Sequence, residues 1–464
     1  MTARHSCPAA PGPLEAFAVQ FDSLFGSLAQ RQGFRTYLAG LLLPRDRSKT
    51  LTALVGAEPL VQAQAAQVQR LQFFLSEAAW DADRINTQRL ALLAAEPATA
   101  PSAEGVLIID DTGDRKDGSA TDHVARQYLG SVGKIDNGIV AVTTLWASEE
   151  RYYPLHVMPY TPERRLAGGK QDPGFRTKPQ IALSLVEQAQ AAGIAFTAIV
   201  ADCFYGDNHA LETALLERRL PHVLARRGAL GRGRAPAEAD HSFADAAQAL
   251  PLRAWQPVLR RFRDGHAQRW WAAELTLFGY RPDKTVRAIC ATTDRRVLPA
   301  LSTWYLTTNL PREQAPLAEI VRLYGLRNWV EQGYKQMKDE LGWADFMVRS
   351  DRAIRRHWTL VLCAFAFCWW HAAGQDHASD SSTRLAGTPV TPPGAGEKNR
   401  HRQAAALAAP AARGARLADP GALAGALLER FFRHAPARRV RRAARRLERR
   451  PGDQRLSPAL TNYR

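Results

Sequence analysis

At 464 residues the chain is too long for one minimal domain, and a hydrophobic fraction of 46% supports a sizeable core without disulfide or metal staples. Its 62 Lys and Arg against 45 Asp and Glu leave a formal charge of +17, which favours a polyanionic partner, nucleic acid ahead of an anionic membrane surface. Five cysteines, with no CxxC pair and no histidine at zinc-ligand spacing, argue against a disulfide scaffold and fit a reducing, cytoplasmic setting.

From Leu14 to about Glu96 the apolar residues recur at helical spacing, which predicts an all-helical N-terminal domain over 1–100. The interleaved Arg31, Arg35, Arg45, Arg47, Lys49 and Arg70 give it an expected basic outer face, either a solvated surface or a DNA-binding one. After the linker "EPATAPSAEG", "VLIID" is short, continuous and β-branched, as in a strand buried on both faces. "NGIVAVTTLWAS" and "RYYPLHVMPY" read as two further strands. They are followed by a helix, "KPQIALSLVEQAQAAG", the strand "FTAIVAD", a helix from Asn208 and the strand "PHVLARR". Three meandering strands followed by helix–strand alternation predict an α/β fold, a mixed sheet flanked by helices. Residues 228–302 interrupt the alternation with antiparallel character and read as a β-rich insertion.

The strand "TWYLTTNL" then leads into a helix, "APLAEIVRLYGLRNWVEQGYKQMKDELG". A second helix from Asp351 contains "WTLVLCAFAFCWWHAA", too short a run to span a bilayer, so no membrane association is expected. Residues 374–464 collapse to Ala, Pro, Gly, Arg and Ser and read as a low-complexity tail; its "RRVRRAARRLERR" is either solvated or set against phosphates.

Two carboxylates stand at the predicted ends of strands, Asp111 at the C-terminal end of the strand "VLIID" and Asp202 at the end of "FTAIVAD", where ligand sites gather in such sheets. Pointed at one volume without a cation they repel, and a divalent ion removes that conflict. On the long helix, taken as one ideal helix, Tyr324, Arg327, Glu331 and Lys338 share a wedge of about 60° beside the apolar stripe. An i,i+4 pair accounts for Arg327 and Glu331 but leaves Tyr324 and Lys338 without a reason to share it.

"DDTG", "VADCFYGDN" and "YGLRNWVEQGYKQMK" resemble the three acidic motifs of DDE-type insertion-sequence transposases, which are RNase H-like polynucleotidyl transferases. The last stretch is similar, without a gap, to the Tyr-x2-Arg-x3-Glu-x6-Lys signature of the branch that excises DNA through hairpin intermediates. The resemblance extends over about 104–370 and implies an RNase H-like catalytic domain, 104–373. It implies that Asp111, the Asp directly before Thr, joins Asp202 and Glu331 as catalytic, metal-binding residues, while Asp110 is structural or assists. Two Mg2+ ions are implied, with Mn2+ able to substitute, acting on double-stranded DNA at terminal inverted repeats and at the target, within a synaptic homodimer. Arg327, Lys338 and Tyr324 are implied phosphate contacts, Trp270, Trp271 and Trp255 candidates to stack a flipped base, and Lys134 a candidate DNA contact. Two rivals remain open at this point, an RNase H-like endonuclease that cuts without joining and a domesticated DNA-binding regulator.

Overall fold

The computed structural model describes residues 12–44, 47–59, 61–229, 233–235, 238–262, 266–277, 286–299 and 302–385. Five helices come first: α1 (Pro13–Ala18), α2 (Leu28–Leu42), α3 (Leu51–Leu54), α4 (Ala66–Ser76) and α5 (Ala82–Ala95). Local signals place their starts, since Ser27 accepts the N–H of Gln30 and Asp81 those of Asp83 and Arg84. Strands β1 (Val106–Arg115), β2 (Ala125–Leu129), β3 (Lys134–Ala147) and β4 (Tyr152–Tyr160) follow. Next come α6 (Lys178–Ala191), β5 (Ala198–Ala201), α7 (Cys203–Gly206), α8 (His209–Glu217) and β6 (His222–Arg226). A Thr177/Gln180 capping box starts α6.

β1 pairs antiparallel with β3 and parallel with β5, β3 pairs with β4, and β5 pairs parallel with β6. The order β4-β3-β1-β5-β6 is that of an RNase H-like sheet, as the resemblance implied. Beyond it lie a short hairpin, β7 (Gly233–Ala235) and β8 (Glu238–His241), and α9 (Phe243–Gln248), then β9 (Gln256–Arg261), β10 (Ala267–Leu275), β11 (Arg287–Thr292) and β12 (Thr303–Thr308). The insertion is β-rich as expected, and it is continuous with the core: β12 pairs with β6, and β11, β10 and β9 extend the same 10-stranded sheet. Helices α10 (Leu317–Gly325), α11 (Asn328–Lys335) and α12 (Asp351–Leu385) complete the fold.

The N-terminal helices share one hydrophobic cluster with the sheet and α12: Phe17 meets Phe367 edge-on at 5.6 Å, and Tyr37 and Phe74 lie in the same core. Their basic residues are partly spent inside the fold. Arg35 is buried between Glu15 and Asp22, and Lys49 is buried on the carbonyls of Leu41 and Leu43, because a buried cation must find partners. Arg31, Arg47 and Arg70 keep some exposure, and Arg45 lies outside the described residues. At the other end α12 runs past Gly374, where composition predicted a linker, to Leu385. An established helix extends at little cost until the next breakers, here Gly387 and Pro389. The Arg-rich stretch of the tail lies outside the described residues. Among those described, no helix is long and apolar enough to cross a membrane.

Tyr37 and His357 tie α2 to α12. The buried His357 ring sits 2.8 Å from the Tyr37 hydroxyl at Nδ1 and 3.2 Å from two backbone carbonyls at Nε2, an arrangement that suits the neutral tautomer donating from Nε2. Burial pushes its pKa down to about 3, with Lys116 adding to the effect, and burial does the same to His156, also to about 3. Both imidazoles therefore stay neutral in the fold, while in the unfolded chain they take up protons below about pH 6.5. Their contribution is complete above that pH and is lost as pH falls toward 3. Denaturant midpoints should drop between pH 7.5 and pH 5, with each histidine contributing a loss of roughly 2 kcal/mol at pH 5. His357→Gln should flatten the dependence; an unchanged pH profile in that variant would show the ring protonates in place.

Candidate active site

The acidic pair lies within a strand. β1 continues through Asp110 and Asp111 to Arg115, paired with β3 alone once β5 stops at Ala201. Successive strand residues face opposite ways, so the two carboxylates cannot share a volume. Asp110 faces α11. Its Oδ2 accepts from Arg327 Nη2 at 2.8 Å, and burial raises its pKa to about 7, with Arg327 drawing it back down and Asp202 and Asp111 pushing it up. Asp111 faces α6 and α7, where Oδ2 accepts from Lys178 Nζ at 3.2 Å and from the Tyr205 hydroxyl at 3.1 Å. Burial, reinforced by Asp111, lifts the Tyr205 pKa well above the ordinary value, so this phenol stays protonated and donates.

Asp202 directly follows β5. Its Oδ1 accepts the N–H groups of Phe204 and Tyr205 at 3.1 and 3.3 Å, while Oδ2 is 3.8 Å from Arg327 Nη2. Glu331, its side chain 74% exposed, approaches Arg327 Nη1 at 3.9 Å. One guanidinium thus gathers Asp110, Asp202 and Glu331 from β1, the end of β5 and α11. Burial opposes its charge, yet Asp110, Tyr324, Asp202 and Glu331 together hold its pKa above the usual arginine value. The carboxylate that shares Arg327 with Asp202 and Glu331 is thus Asp110, whereas Asp111, the member expected from the sequence, bonds Lys178 and Tyr205.

The long predicted helix is broken. Arg327 sits in a tight turn between α10 and α11, and residues Gln336–Glu340 form a π-turn. Lys338 lies in this wider turn and reaches β1, where Nζ is 2.7 Å from the buried Asp114 and 3.1 Å from the Gly113 carbonyl. Tyr324 does stay close to Arg327 but is largely buried, edge-on to Trp304 at 4.8 Å.

A family profile described as DDE superfamily endonuclease matches residues 20–270. Over 346 residues the chain is 34% identical to a probable transposase for insertion sequence element IS701 from Microchaete diplosiphon, covering 73% of this chain and 83% of that protein. This chain belongs to the DDE-type insertion-sequence transposases. A solved piggyBac transposase synaptic complex with hairpin DNA aligns with 93% of the chain and 80% of its own at 14% identity and a TM-score of 0.42, a loose likeness that decides nothing here.

Among the described residues of this transposase, no three His, Cys, Asp or Glu groups stand close enough together to cage an ion as they are. The donor chemistry of the Asp110–Asp202–Glu331 set nevertheless suits a hard cation, and the Arg327 guanidinium already occupies their midst. The predicted stacking residues lie elsewhere. Trp270 is 1% exposed and packs on Trp304, Trp255 belongs to a small core with Phe243 and Cys290, and the half-buried Trp271 ring is covered by Arg295 at 3.7 Å. Trp270 and Trp271 fall on the two faces of β10, an internal strand of the sheet, and Trp255 just precedes β9. The aromatic that packs on Tyr324 is Trp304 of β12, just after the insertion, with the Arg260 guanidinium 4.5 Å from its ring. The sequence reading overlooked it, although "TWYLTTNL" was read as a strand ahead of the Glu331 helix. Lys134 is exposed on β3 and pairs with Asp136 at 3.6 Å.

Proposed function

We propose that this transposase binds the terminal inverted repeats of its element, cuts the DNA at the element ends and joins them to target DNA, with Asp110, Asp202 and Glu331 holding divalent metal. The observation that carries this reading is the convergence of three carboxylates from separate elements on a single cationic group. Mg2+, with Mn2+ as substitute, suits all-oxygen ligands beside phosphate, and two such ions supply an activated hydroxyl nucleophile and a stabilised leaving oxygen. The chain's own residues do the rest. Asp110, fixed in a strand, and Asp202, fixed as a helix cap, form the rigid half of the site, and the exposed Glu331 closes it. Arg327, whose Nε has no partner among the described residues, turns a donor to a phosphate oxygen of the cleaved strand. Lys338, anchored on Asp114, holds the Glu331 helix to β1, and Lys178 with Tyr205 fixes Asp111 on the far face. Trp304, next to Tyr324, is the site's candidate to stack a displaced base in a hairpin route.

Purified protein with a labelled element end and magnesium should give cut and joined products. Asp202→Ala should lose both while still retarding the DNA in a gel. Cleavage by Asp202→Ala would refute the site, and cutting without joining by the wild type would leave only an endonuclease. A hairpin route predicts a closed product on denaturing gels, and a synaptic dimer predicts a complex holding two ends.

A further inference from the structure

Beside Asp202, two aromatic rings stand largely in solvent. Phe204, two residues after the carboxylate, is 53% exposed, and Tyr128 on β2 is 59% exposed, opposite the 61% exposed Ile135 of β3. Both line a cavity of about 700 Å³ together with Cys203, Asp207, Asn208 and Arg227. A phenylalanine left in water usually sits on a pliable surface, but this one is held firmly. Its N–H is bonded to Asp202, its ring meets the fully buried Tyr205 edge-on at 5.0 Å, and α7 is seated so tightly on β6 that a Cβ at Gly206 would collide with the Ala225 carbonyl. Basic groups stand around it, two of them paired with carboxylates: Lys178 with Asp111 and Arg227 with Asp207. Lys178 Nζ lies 5.2 Å from the Phe204 ring, Arg227 neutralises Asp207 at 2.6 Å, and exposed Arg126 shares the Tyr128 face of β2.

We propose that the cleft between Tyr128 and Phe204 takes an unstacked base of the DNA strand whose backbone crosses Asp110 and Asp202, a reading that rests on the proposed cleavage of DNA at these carboxylates. Rigid exposed rings next to basic groups are the means by which proteins hold single-stranded nucleic acid without regard to sequence, since every base offers a π face. The slot places such a base two residues along the chain from a carboxylate of the site. A strand seated there is held by its base on one side and its phosphate on the other. That fixes which phosphodiester faces the acidic set.

The test uses the full chain, a chelator in place of metal, and a fluorescent oligothymidylate of about twelve nucleotides read by anisotropy. Phe204→Ala and Tyr128→Ala should each weaken binding roughly 5- to 100-fold, with unchanged thermal midpoints. Tyr128→Phe should bind as the wild type does, because the stack needs the ring and not the hydroxyl. Full affinity in both alanine variants would overturn the slot, as would full affinity in Phe204→Leu, since leucine offers apolar area without a face. The slot and the reaction fail separately. Cutting by the wild type with no loss of oligothymidylate binding in the variants removes the slot alone, whereas the predicted losses in a protein that never cuts would retain the slot and remove the reaction.

Discussion

Asp110→Asn should reduce strand cleavage by about a thousandfold or more, level with Asp202→Asn, because removing an oxygen ligand forfeits several kcal/mol of charge stabilisation at the phosphoryl centre. Asp111→Asn should reduce it by only about 10- to 100-fold, the cost of loosening a residue one layer behind the chemistry. The contrast follows from strand geometry: the two carboxylates are neighbours in sequence, yet one meets Arg327 and Asp202 while the other meets Lys178 and Tyr205. Asparagine preserves shape and most hydrogen bonding at either position, so the comparison isolates the charge. Initial rates on a labelled element end, with binding measured in parallel, decide it. If Asp111→Asn is dead and Asp110→Asn active, the strand is assigned to the wrong face.

Arg226→Met should lower stability by about 3–5 kcal/mol. Arg226 is buried and reaches the Glu212 carboxylate, the Gly206 carbonyl and the Thr307 hydroxyl, joining β6, α8, α7 and β12 at one point. Losing the guanidinium strands Glu212, itself 1% exposed, as an uncompensated buried charge. Arg226→Met combined with Glu212→Leu should recover most of the loss, because apolar replacement of both partners removes the cost of burying charge. Urea midpoints of the two variants give the answer, and a single variant as stable as the wild type would show that water reaches the pair. Since α7 carries the backbone that Asp202 caps, the single variant should also cleave poorly near its unfolding temperature.

Much of the fold was legible because its signals are local. The continuous β-branched run at Val106, the capping box at Thr177 and the β-branched "FTAIVAD" each point to one kind of element, and their order admits few sheets. β2 escaped notice because its five residues alternate weakly, and β1 was cut short because Asp110 and Asp111 look like an ending; only the pairing with β3 shows the strand continuing. Asp202 and Glu331 were singled out by motif, and both approach Arg327. The choice between Asp110 and Asp111 was not available from spacing, since which of two adjacent strand residues faces α11 depends on the packing of the sheet. The break in the long helix was hidden for a similar reason: extrapolating 100° per residue fails where a π-turn intervenes, and nothing in "KQMKDELG" announces one. The helix expected from Asn208 starts one residue later, since Asn208 is its cap, and Asp207 pairs with Arg227.

The contact of α1, α2, α4 and α5 with α12 has a consequence for how the protein is made. The faces of the first helices that α12 covers are synthesised roughly 250 to 350 residues ahead of it. At a ribosomal pace of about 5–20 residues per second, they wait roughly 12–70 s for their cover. During that interval the nascent chain carries uncovered aromatic surface, including Phe17, and a truncated product ending before Asp351 keeps it for good. Shortened translation products of this gene should therefore be sticky and short-lived.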